Sequence, residues 1–292
     1  MREFISFTLN GISFGMIYAA IGLSLVLIWR ATRILNFAQG AMAMLTAFIA
    51  LSVIHATGSY WAGFASALAA GLVLGAVVER MVIRPVENKP PLNAVIVTIG
   101  LLVMLEGLAG LIYGGQVRAF PTPLSIKGLR FGSTQIALSR YDLFVTGSVL
   151  AAALLLAVVF RYTPVGLRMR AAAFQPGIAR LLGVRVGRVL TLGWALAGLI
   201  GALAGVLISP SIFLSPNSMD SIFVLGFTAA VLGGLDSPFG AVIGGIVLGV
   251  VLSYVAGYLG SDLVTVFALA LLMAVLMMRP EGLFSPTTTR QV

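Results

Sequence analysis

The chain has 292 residues, of which 60% are hydrophobic and 9% are charged, and its mean hydropathy is +1.08. These values exclude a soluble globular domain and predict a multi-span membrane protein, with residues 1–292 forming a single transmembrane domain. A formal charge of +9 is also found in nucleic-acid-binding proteins, but here the arginines lie in short loops between apolar segments. The charge therefore indicates basic loops on the cytoplasmic side of a membrane. We expect membrane lipid, and no nucleic acid, around this chain.

The sequence lacks the residues of several common chemistries. It has no cysteine and a single histidine, His55, so a zinc site built on His55 would lack partners. No G-x-x-x-x-G-K-[ST], H-E-x-x-H or G-x-S-x-G motif occurs in it. We therefore expect no enzymatic activity, no metal and no cofactor in this chain. If it moves a solute uphill, the energy must come from an ion gradient or from a partner.

Apolar segments follow one another along the whole chain. The first segment, 7–29, is long enough to cross a hydrocarbon core of ~30 Å, and no small-residue cleavage site follows it. We therefore expect it to be a helix of the mature protein and not a cleaved signal peptide. The segment 222–257 is too long for one crossing and is interrupted at 233–238, which predicts a hairpin or a re-entrant helix. We expect an all-α fold with eight or nine crossings. Apart from the interrupted segment 222–257, the predicted spans are 7–29, 35–54, 60–78, 94–113, 143–160, 189–208 and 262–278.

Residues 161–188, here called the elbow, carry six arginines and no acid. Thr163 can cap a helix that Pro164 starts, and Pro176 can start a second short helix that Gly183 ends in the left-handed conformation. The elbow is therefore predicted to be a structured cytoplasmic pair of short helices, over 167–173 and 178–182. Such a pair has the shape needed to dock into a groove on another protein.

If the elbow is cytoplasmic, the alternation of spans places the N-terminus outside and the C-terminus inside. Thirteen of the 18 Lys and Arg residues then lie inside and five lie outside, as the positive-inside rule expects. The inside set is Arg30, Arg33, Arg80, Arg84, Lys89, the six elbow arginines, Arg279 and Arg290, and the outside set is Arg2, Arg118, Lys127, Arg130 and Arg140.

Two places in the sequence are unlike ordinary spans. Asn36 and Gln39 are expected to put two amides, three residues apart, on one face of a helix start, beside small residues and methionines. The break at Gly233, Gly234 and Asp236 divides the segment 222–257, and the part before the break, 222–232, is long enough to cross only about half of a bilayer. Interrupted apolar segments, one in each half of a chain, are typical of broken helices around a transport path, although glycine-mediated helix packing gives the same pattern.

Glu106 lies inside the predicted span 94–113. An ionised group at that depth costs on the order of 3 kcal/mol on insertion scales. We therefore expect it to face the bundle interior or a wet cavity, either on a transport path or as a hydrogen-bonded structural residue. With Asp236 it is one of only two intramembrane carboxylate candidates, which disfavours an ion-coupled carrier.

Three stretches in this order resemble one family, the inner-membrane permease subunits of branched-chain amino-acid ABC importers, and specifically the H-type half of the permease pair. The resemblance covers nearly the whole chain. Residues 35–40 (LNFAQG) resemble its amide-rich signature after the first helix, and 166–173 (GLRMRAAA) with Ala179 and Gly183 resemble its cytoplasmic coupling loop. Residues 228–241 (TAAVLGGLDSPFGA) resemble its late glycine-rich motif, and 279–284 (RPEGLF) its usual ending.

The resemblance implies an ABC importer permease fold and a complex in the bacterial inner membrane. Its expected partners are a second, M-type permease, two cytoplasmic ATPases that bind ATP and Mg²⁺, and a periplasmic binding protein that delivers a branched-chain amino acid. Relatives commonly carry a polar residue and an acid where this chain has Phe174 and Gln175, which puts one contact to the ATPase in doubt. The residues expected to couple to the ATPase are Gly166, Arg168, Arg170, Ala171, Ala172, Ala179 and Gly183.

Other functions stay open at this point. The same architecture could import urea, short amides or other amino acids, because binding proteins select the solute. A self-sufficient ion-coupled carrier or channel is the alternative from another class, and an intramembrane enzyme has little support because no nucleophile–base pair is visible. The expected path residues are Asn36, Gln39, Glu106, Gly233, Gly234 and Asp236.

Overall fold

The computed structural model describes residues 2–87, 89–131, 134–279 and 282–284. Within these ranges the protein is a helical bundle with one small antiparallel hairpin, so the all-α prediction holds except for a hairpin that the sequence pattern did not indicate. The helices are α1 Arg2–Thr32, α2 Gln39–Thr57, α3 Tyr60–Val78, α4 Pro91–Tyr113, α5 Arg140–Tyr162, α6 Pro164–Phe174, α7 Pro176–Leu181, α8 Val186–Ile212, α9 Asp220–Gly233, α10 Pro238–Tyr258 and α11 Val264–Met278, and the strands are β1 Gly128–Phe131 and β2 Thr134–Ser139.

Eight helical segments in the described ranges are long and apolar enough to cross a membrane. The ninth, α9, has only 14 residues and a length of ~21 Å. The interruption predicted at 233–238 is present and separates α9 from α10. The protein is therefore a multi-pass membrane protein with one shortened helix, as the sequence predicted.

α1 lies at the centre of the bundle. It is apolar on all sides, and most of it is buried against α10, α8 and α9. Its contact with α10 is backbone to backbone, because a Cβ at Gly245 or Gly249 would collide with the main chain of α1 at Ala19 or Gly15. Small residues that allow such close approach drive helix association in lipid, where hydrophobic burial contributes little. α4, α5 and α11 form the periphery.

Contacts between loops sort the chain into two ends. At one end Arg33 forms an ion pair with Asp236, Arg84 donates to the carbonyl of Gly187, and the elbow packs on the start of α8. We call this the elbow end. At the opposite end, here called the hairpin end, the backbones of Arg118 and Leu214 form an antiparallel β-bridge, and the Phe7 ring packs on Tyr258. Nine helices run between the two ends within the described residues, so the start of α1 and the end of α11 lie at opposite ends.

The elbow has the predicted local structure. The Thr163 hydroxyl accepts the Gly166 N–H at 3.4 Å, Pro164 starts α6, and Pro176 starts α7. Gly183 follows with a φ of +81°, the left-handed conformation expected at a helix end. Side chains of Ala172 and Ala179 then pack with Val186 and Leu190 of α8 in a small buried cluster. The elbow is thus a fixed attachment to the first turns of α8.

Candidate functional site

The predicted coupling residues divide into a buried set and an exposed set. Gly166, Ala172 and Ala179 are buried, and a Cβ at Gly166 would collide with the backbone of Phe160 at the end of α5. Small side chains at these three positions let the elbow pack on α5 and α8. The exposed set, which is free to meet another molecule, consists of Arg168, Arg170, Ala171 and Gly183.

Large apolar side chains accompany the exposed arginines of the elbow. Leu181 and Leu182 are 88% and 78% exposed, and Leu167 and Ile178 are also exposed. The elbow extends beyond the spans, where these side chains would face water rather than lipid. A mixed apolar and cationic surface of this kind is typical of a protein-binding site. The sequence pattern identified the arginines and the small residues but missed the leucines.

Asn36 and Gln39 are fully buried and bonded inside the protein. The Asn36 carboxamide oxygen accepts the Ala38 N–H at 3.1 Å, and its nitrogen donates to Gln39 Oε1 at 3.0 Å. Gln39 Nε2 in turn donates to the carbonyl of Ala197 in α8 at 3.2 Å. The expectation that both amides share a helix face is wrong, because Asn36 forms a turn that delays the start of α2 to Gln39. The two amides fix the α1–α2 turn to α8.

Gly233, Gly234 and Asp236 lie at the elbow end. Gly234 has a φ of +97°, and the N–H groups of Leu283 and Phe284 donate to the carbonyls of Leu232 and Gly233 at 3.0 and 3.3 Å. The break between α9 and α10 is therefore a turn covered by residues 282–284. The Asp236 side chain is 41% exposed and pairs with Arg33. Pro280, Glu281 and Arg290, which the sequence analysis also named, lie outside the described residues.

Glu106 lies in α4, about 10 Å from its hairpin-end terminus, and faces the start of α9. The Asn217 amide donates to its Oε2 at 3.2 Å, and the carboxyl of Asp220 lies nearby. Asn217 and Asp220 are exposed, and Glu106 is half-buried. The three polar side chains form one group at membrane depth, which we call the outer polar group. Sequence reasoning found Glu106 but not Asn217 and Asp220.

Two aromatic rings continue from the outer polar group along α9 toward the elbow end. Phe223 and Phe227 follow Asp220 at helical spacing, are half-buried, and stack with a centroid distance of 6.3 Å. Phe37 of the α1–α2 turn packs on Phe223 at 6.1 Å. A half-exposed stripe, here called the α4–α9 stripe, therefore has the carboxyl groups of Glu106 and Asp220 at one end and the aromatic rings of α9 along its length.

The predicted path residues do not meet in one pocket. Asn36 and Gln39 are internal, Gly233, Gly234 and Asp236 close the elbow end, and Glu106 belongs to the outer polar group. Across residues 2–87, 89–131, 134–279 and 282–284, no three His, Asp or Glu side chains are grouped so that they could hold a metal ion. The two regions whose geometry suggests contact with other molecules are the exposed elbow surface and the α4–α9 face.

Residues 7–276 match the sequence profile of the family described as branched-chain amino acid transport system, permease component. The branched-chain amino acid transport permease LivH of Salmonella typhimurium is 29% identical over 97% of this chain and 96% of its own length. BraD of Pseudomonas aeruginosa, of the same description, is 26% identical over the same shares. A xylose/arabinose import permease, XylH of Sulfolobus acidocaldarius, is 30% identical over 51% of this chain and 40% of its own length.

Two solved structures have the same overall fold. PsaBC from Streptococcus pneumoniae matches with a TM-score of 0.51 and 14% identity over 94% of this chain and 91% of its own. An inward-facing metal-chelate type ABC transporter matches with a TM-score of 0.52 and 16% identity over 93% of this chain and 84% of its own. At these identities the likeness concerns the fold.

Proposed function

Because this chain belongs to the family of branched-chain amino acid transport permease components, we propose that it lines one half of the path by which an ABC importer moves branched-chain amino acids across the bacterial inner membrane. The observation that carries the proposal is the exposed elbow surface at the end of a bundle of this family. A permease that works alone has no use for such a surface. The importer complex gives it a function, because a separate ATPase must be mechanically connected to the spans.

The elbow supports docking of a cytoplasmic ATPase on this chain. Arg168 and Arg170 supply positive charge, and Leu181 and Leu182 supply apolar area beside it. Arginine and apolar groups at the centre of an interface are typical of the residues that dominate binding energy. ATP and Mg²⁺ would be bound by two such ATPases, since the sequence of this chain has no P-loop. This chain itself would not be an enzyme.

The charge distribution supports an orientation with the elbow end in the cytoplasm. Among the described residues, twelve Lys and Arg lie at the elbow end and five at the hairpin end. Basic residues in short loops are retained on the cytoplasmic side. The N-terminus would then be outside and the C-terminus inside. The twelve are Arg30, Arg33, Arg80, Arg84, Lys89, Arg161, Arg168, Arg170, Arg180, Arg185, Arg188 and Arg279, and the five are Arg2, Arg118, Lys127, Arg130 and Arg140.

The outer polar group supports a transport path on the α4–α9 face. Glu106, Asn217 and Asp220 lie at membrane depth, and a charge facing lipid there costs on the order of 3 kcal/mol. Covering the group with a second permease, or with water in a path between two permeases, removes that cost. The M-type permease would thus lie against this face, with Phe223 and Phe227 lining the path.

A periplasmic binding protein would deliver the solute to the hairpin end. The similarity to a xylose/arabinose import permease over half of the chain suggests that related permeases carry unlike solutes. The α4–α9 stripe of carboxyl groups and aromatic rings suits a solute that has an ammonium group and an apolar side chain. Other amino acids, urea and short amides remain solutes to be tested.

The proposal is tested by purifying the protein from its native membrane in mild detergent and identifying what accompanies it. Two P-loop ATPases and a second permease are expected. The complex, reconstituted in vesicles with the co-expressed periplasmic protein, should take up leucine, isoleucine or valine only when ATP is present on the elbow side. Uptake by this chain alone, driven by an ion gradient, would contradict the proposal and indicate a secondary carrier.

A further inference from the structure

Glu79, at the elbow end of α3, is the most deeply buried acid among the described residues. It is 1% exposed, and it begins a π-helical segment, Glu79–Ile83, that continues α3 into a 3-10 turn, Arg84–Val86. π-helical turns interrupt the regular bonding of a helix and are frequent at functional sites. A buried carboxylate also needs several hydrogen bonds to be tolerated. The location of its partners is therefore informative.

The partners of Glu79 come from the same segment and from α8. Nε and Nη2 of Arg84 donate to Glu79 Oε1 at 3.1 and 3.0 Å, and Nη2 also lies 2.9 Å from Oε2. The Thr191 hydroxyl donates to Glu79 Oε2 at 2.6 Å, and Arg84 Nη2 donates to the carbonyl of Gly187 at 2.8 Å. We call these four residues the α3–α8 clamp. It joins positions 112 residues apart in sequence.

The clamp lies at one end of a long contact between α3 and α8. Along this contact glycines bring the backbones of the two helices together. A Cβ at Gly71 would collide with the carbonyl of Gly198, and a Cβ at Gly75 would collide with the carbonyl of Trp194. Helices in backbone contact cannot slide past one another without breaking this packing. The clamp fixes the elbow ends of the same two helices.

The elbow holds an adjacent face of the first turns of α8. Val186 and Leu190 pack with Ala172 of α6 and Ala179 of α7, whereas Gly187 and Thr191 belong to the clamp. The two residues of each pair are four positions apart, so they lie on one face of the helix. The second pair follows the first by one position, so the two pairs occupy adjacent faces of α8. A displacement of the elbow is therefore passed directly to these turns of α8, which the clamp joins to α3.

We propose that Glu79, Arg84 and Thr191 are positioning residues that convert displacement of the elbow into joint movement of α3 and α8. The inference depends on the proposed function, since it requires an ATPase that moves the elbow. Without the clamp, the first turns of α8 bend locally and the displacement is lost before it reaches the spans. ATP hydrolysis then continues with less transport.

The test uses the complete importer complex reconstituted in vesicles, with Thr191→Val and Glu79→Gln in this chain. Thr191→Val removes one hydroxyl and leaves the Glu79–Arg84 pair intact, and Glu79→Gln keeps the side-chain shape. The quantity measured is the number of solute molecules taken up per ATP hydrolysed. Both variants are expected to lower it roughly fivefold, the low end of couplings between distant sites, while ATPase activity is retained.

Thr46→Val is the matched control. Thr46 is also a buried helical threonine, but its hydroxyl bonds only to the carbonyl of Ala43 in its own helix. It should lose no more than a little stability and keep the wild-type ratio of solute to ATP. An unchanged ratio in both clamp variants would overturn the inference, and so would an equal fall in Thr46→Val.

A distance measurement separates transmission from a general loss of stability. Since the chain has no cysteine, spin labels can be attached at Met81→Cys and Arg188→Cys, two exposed positions on either side of the clamp. The distance should stay constant through the nucleotide cycle in the otherwise wild-type protein and change in Thr191→Val. If the labelled complex shows ATP-driven uptake but the distance is insensitive to Thr191→Val, the clamp inference fails and the proposed function stands. If no ATP-driven uptake exists at all, the proposed function fails first.

Discussion

The guanidinium of Arg33 donates a 2.5 Å hydrogen bond to the carboxylate of Asp236, 203 residues away in sequence. The pair connects the α1–α2 turn to the α9–α10 turn at the elbow end, and both side chains are about half exposed. Arg33 also has a φ of +57°, which is uncommon for a non-glycine residue. An exposed ion pair contributes at most ~1 kcal/mol to stability. Because the pair joins two turns at the elbow end, we interpret it as a tie that holds these turns together more than as a source of stability.

Asp236→Asn removes the charge from this tie. The midpoint of thermal unfolding should change by no more than a few degrees, because the pair is solvent-screened. The reconstituted importer should show faster ATP hydrolysis in the absence of solute, since the two turns separate more readily. The exchanged pair Arg33→Asp with Asp236→Arg should restore the slow rate, and aspartate tolerates the left-handed conformation of position 33. A double variant as fast as Asp236→Asn would contradict the tie.

Arg170→Glu tests the polar part of the elbow surface. Arg170 is exposed, so the change leaves the fold of the permease intact but places an acid against a surface complementary to arginine. Binding of the ATPase should weaken at least tenfold, or ~1.4 kcal/mol, and transport per ATP should fall. Lys127→Glu, the same charge change at the exposed hairpin end, should alter neither quantity. If the Arg170 variant bound the ATPase with wild-type affinity, the ATPase would have to dock elsewhere than at Arg170.

Leu181→Ser tests the apolar part of the elbow surface. Leu181 is 88% exposed in the isolated chain, so its replacement should leave the stability of the permease unchanged. Burying a leucine at an interface contributes about 1.5–3 kcal/mol, so affinity for the ATPase should fall about tenfold or more. Titration of purified ATPase onto the detergent-solubilised permease measures this directly. The same change at Leu124, in the hairpin-end loop, serves as the control and should leave the affinity unchanged.

Local structure was the part of the fold most accessible from sequence. The predicted span 60–78 coincides with α3, whose start is fixed by Gly58 with a φ of +69° and by the Ser59 side chain, which accepts the Ala62 N–H. The elbow helices were predicted because Thr163, Pro164, Pro176 and Gly183 act within one or two turns of their own positions. Such signals need no knowledge of the tertiary fold.

Contacts between distant segments were not accessible. The Glu79–Arg84 pair spans five residues and could have been noticed, but nothing in the sequence connects it with Thr191. Asp220 likewise gives no sign that it lies beside Glu106. The hairpin β1–β2 was missed because β1 has only four residues, and because the apolar residues of β2 stand in one run without the alternation that marks a half-buried strand. Asn36 and Gln39 were predicted as path residues, but their side chains bond inside the protein.

Gln39→Leu tests whether this internal network is structural. The change removes the oxygen that accepts the Asn36 amide, which keeps only a 3.4 Å contact with Met42 Sδ in a buried site, and it removes the bond from Gln39 to the carbonyl of Ala197. Each unsatisfied buried polar group costs ~1–3 kcal/mol, so the unfolding midpoint should fall clearly. Ser209→Ala in α8 removes a buried hydroxyl that bonds only within its own helix and should have a small effect. A Gln39 variant of wild-type stability whose solute affinity is altered would instead indicate a direct role in the path.

Glu106→Gln separates the importer from an ion-coupled carrier. Glutamine keeps an oxygen that can accept the Asn217 amide, so the fold and assembly should be retained. If the outer polar group faces the path as proposed, uptake by the reconstituted complex should become slower, but it should still require ATP and ignore ion gradients. Asp262→Asn, an exposed acid in the turn between α10 and α11, should leave the rate unchanged. If wild-type uptake follows a proton or sodium gradient and Glu106→Gln abolishes that dependence, Glu106 is the coupling site of a secondary carrier.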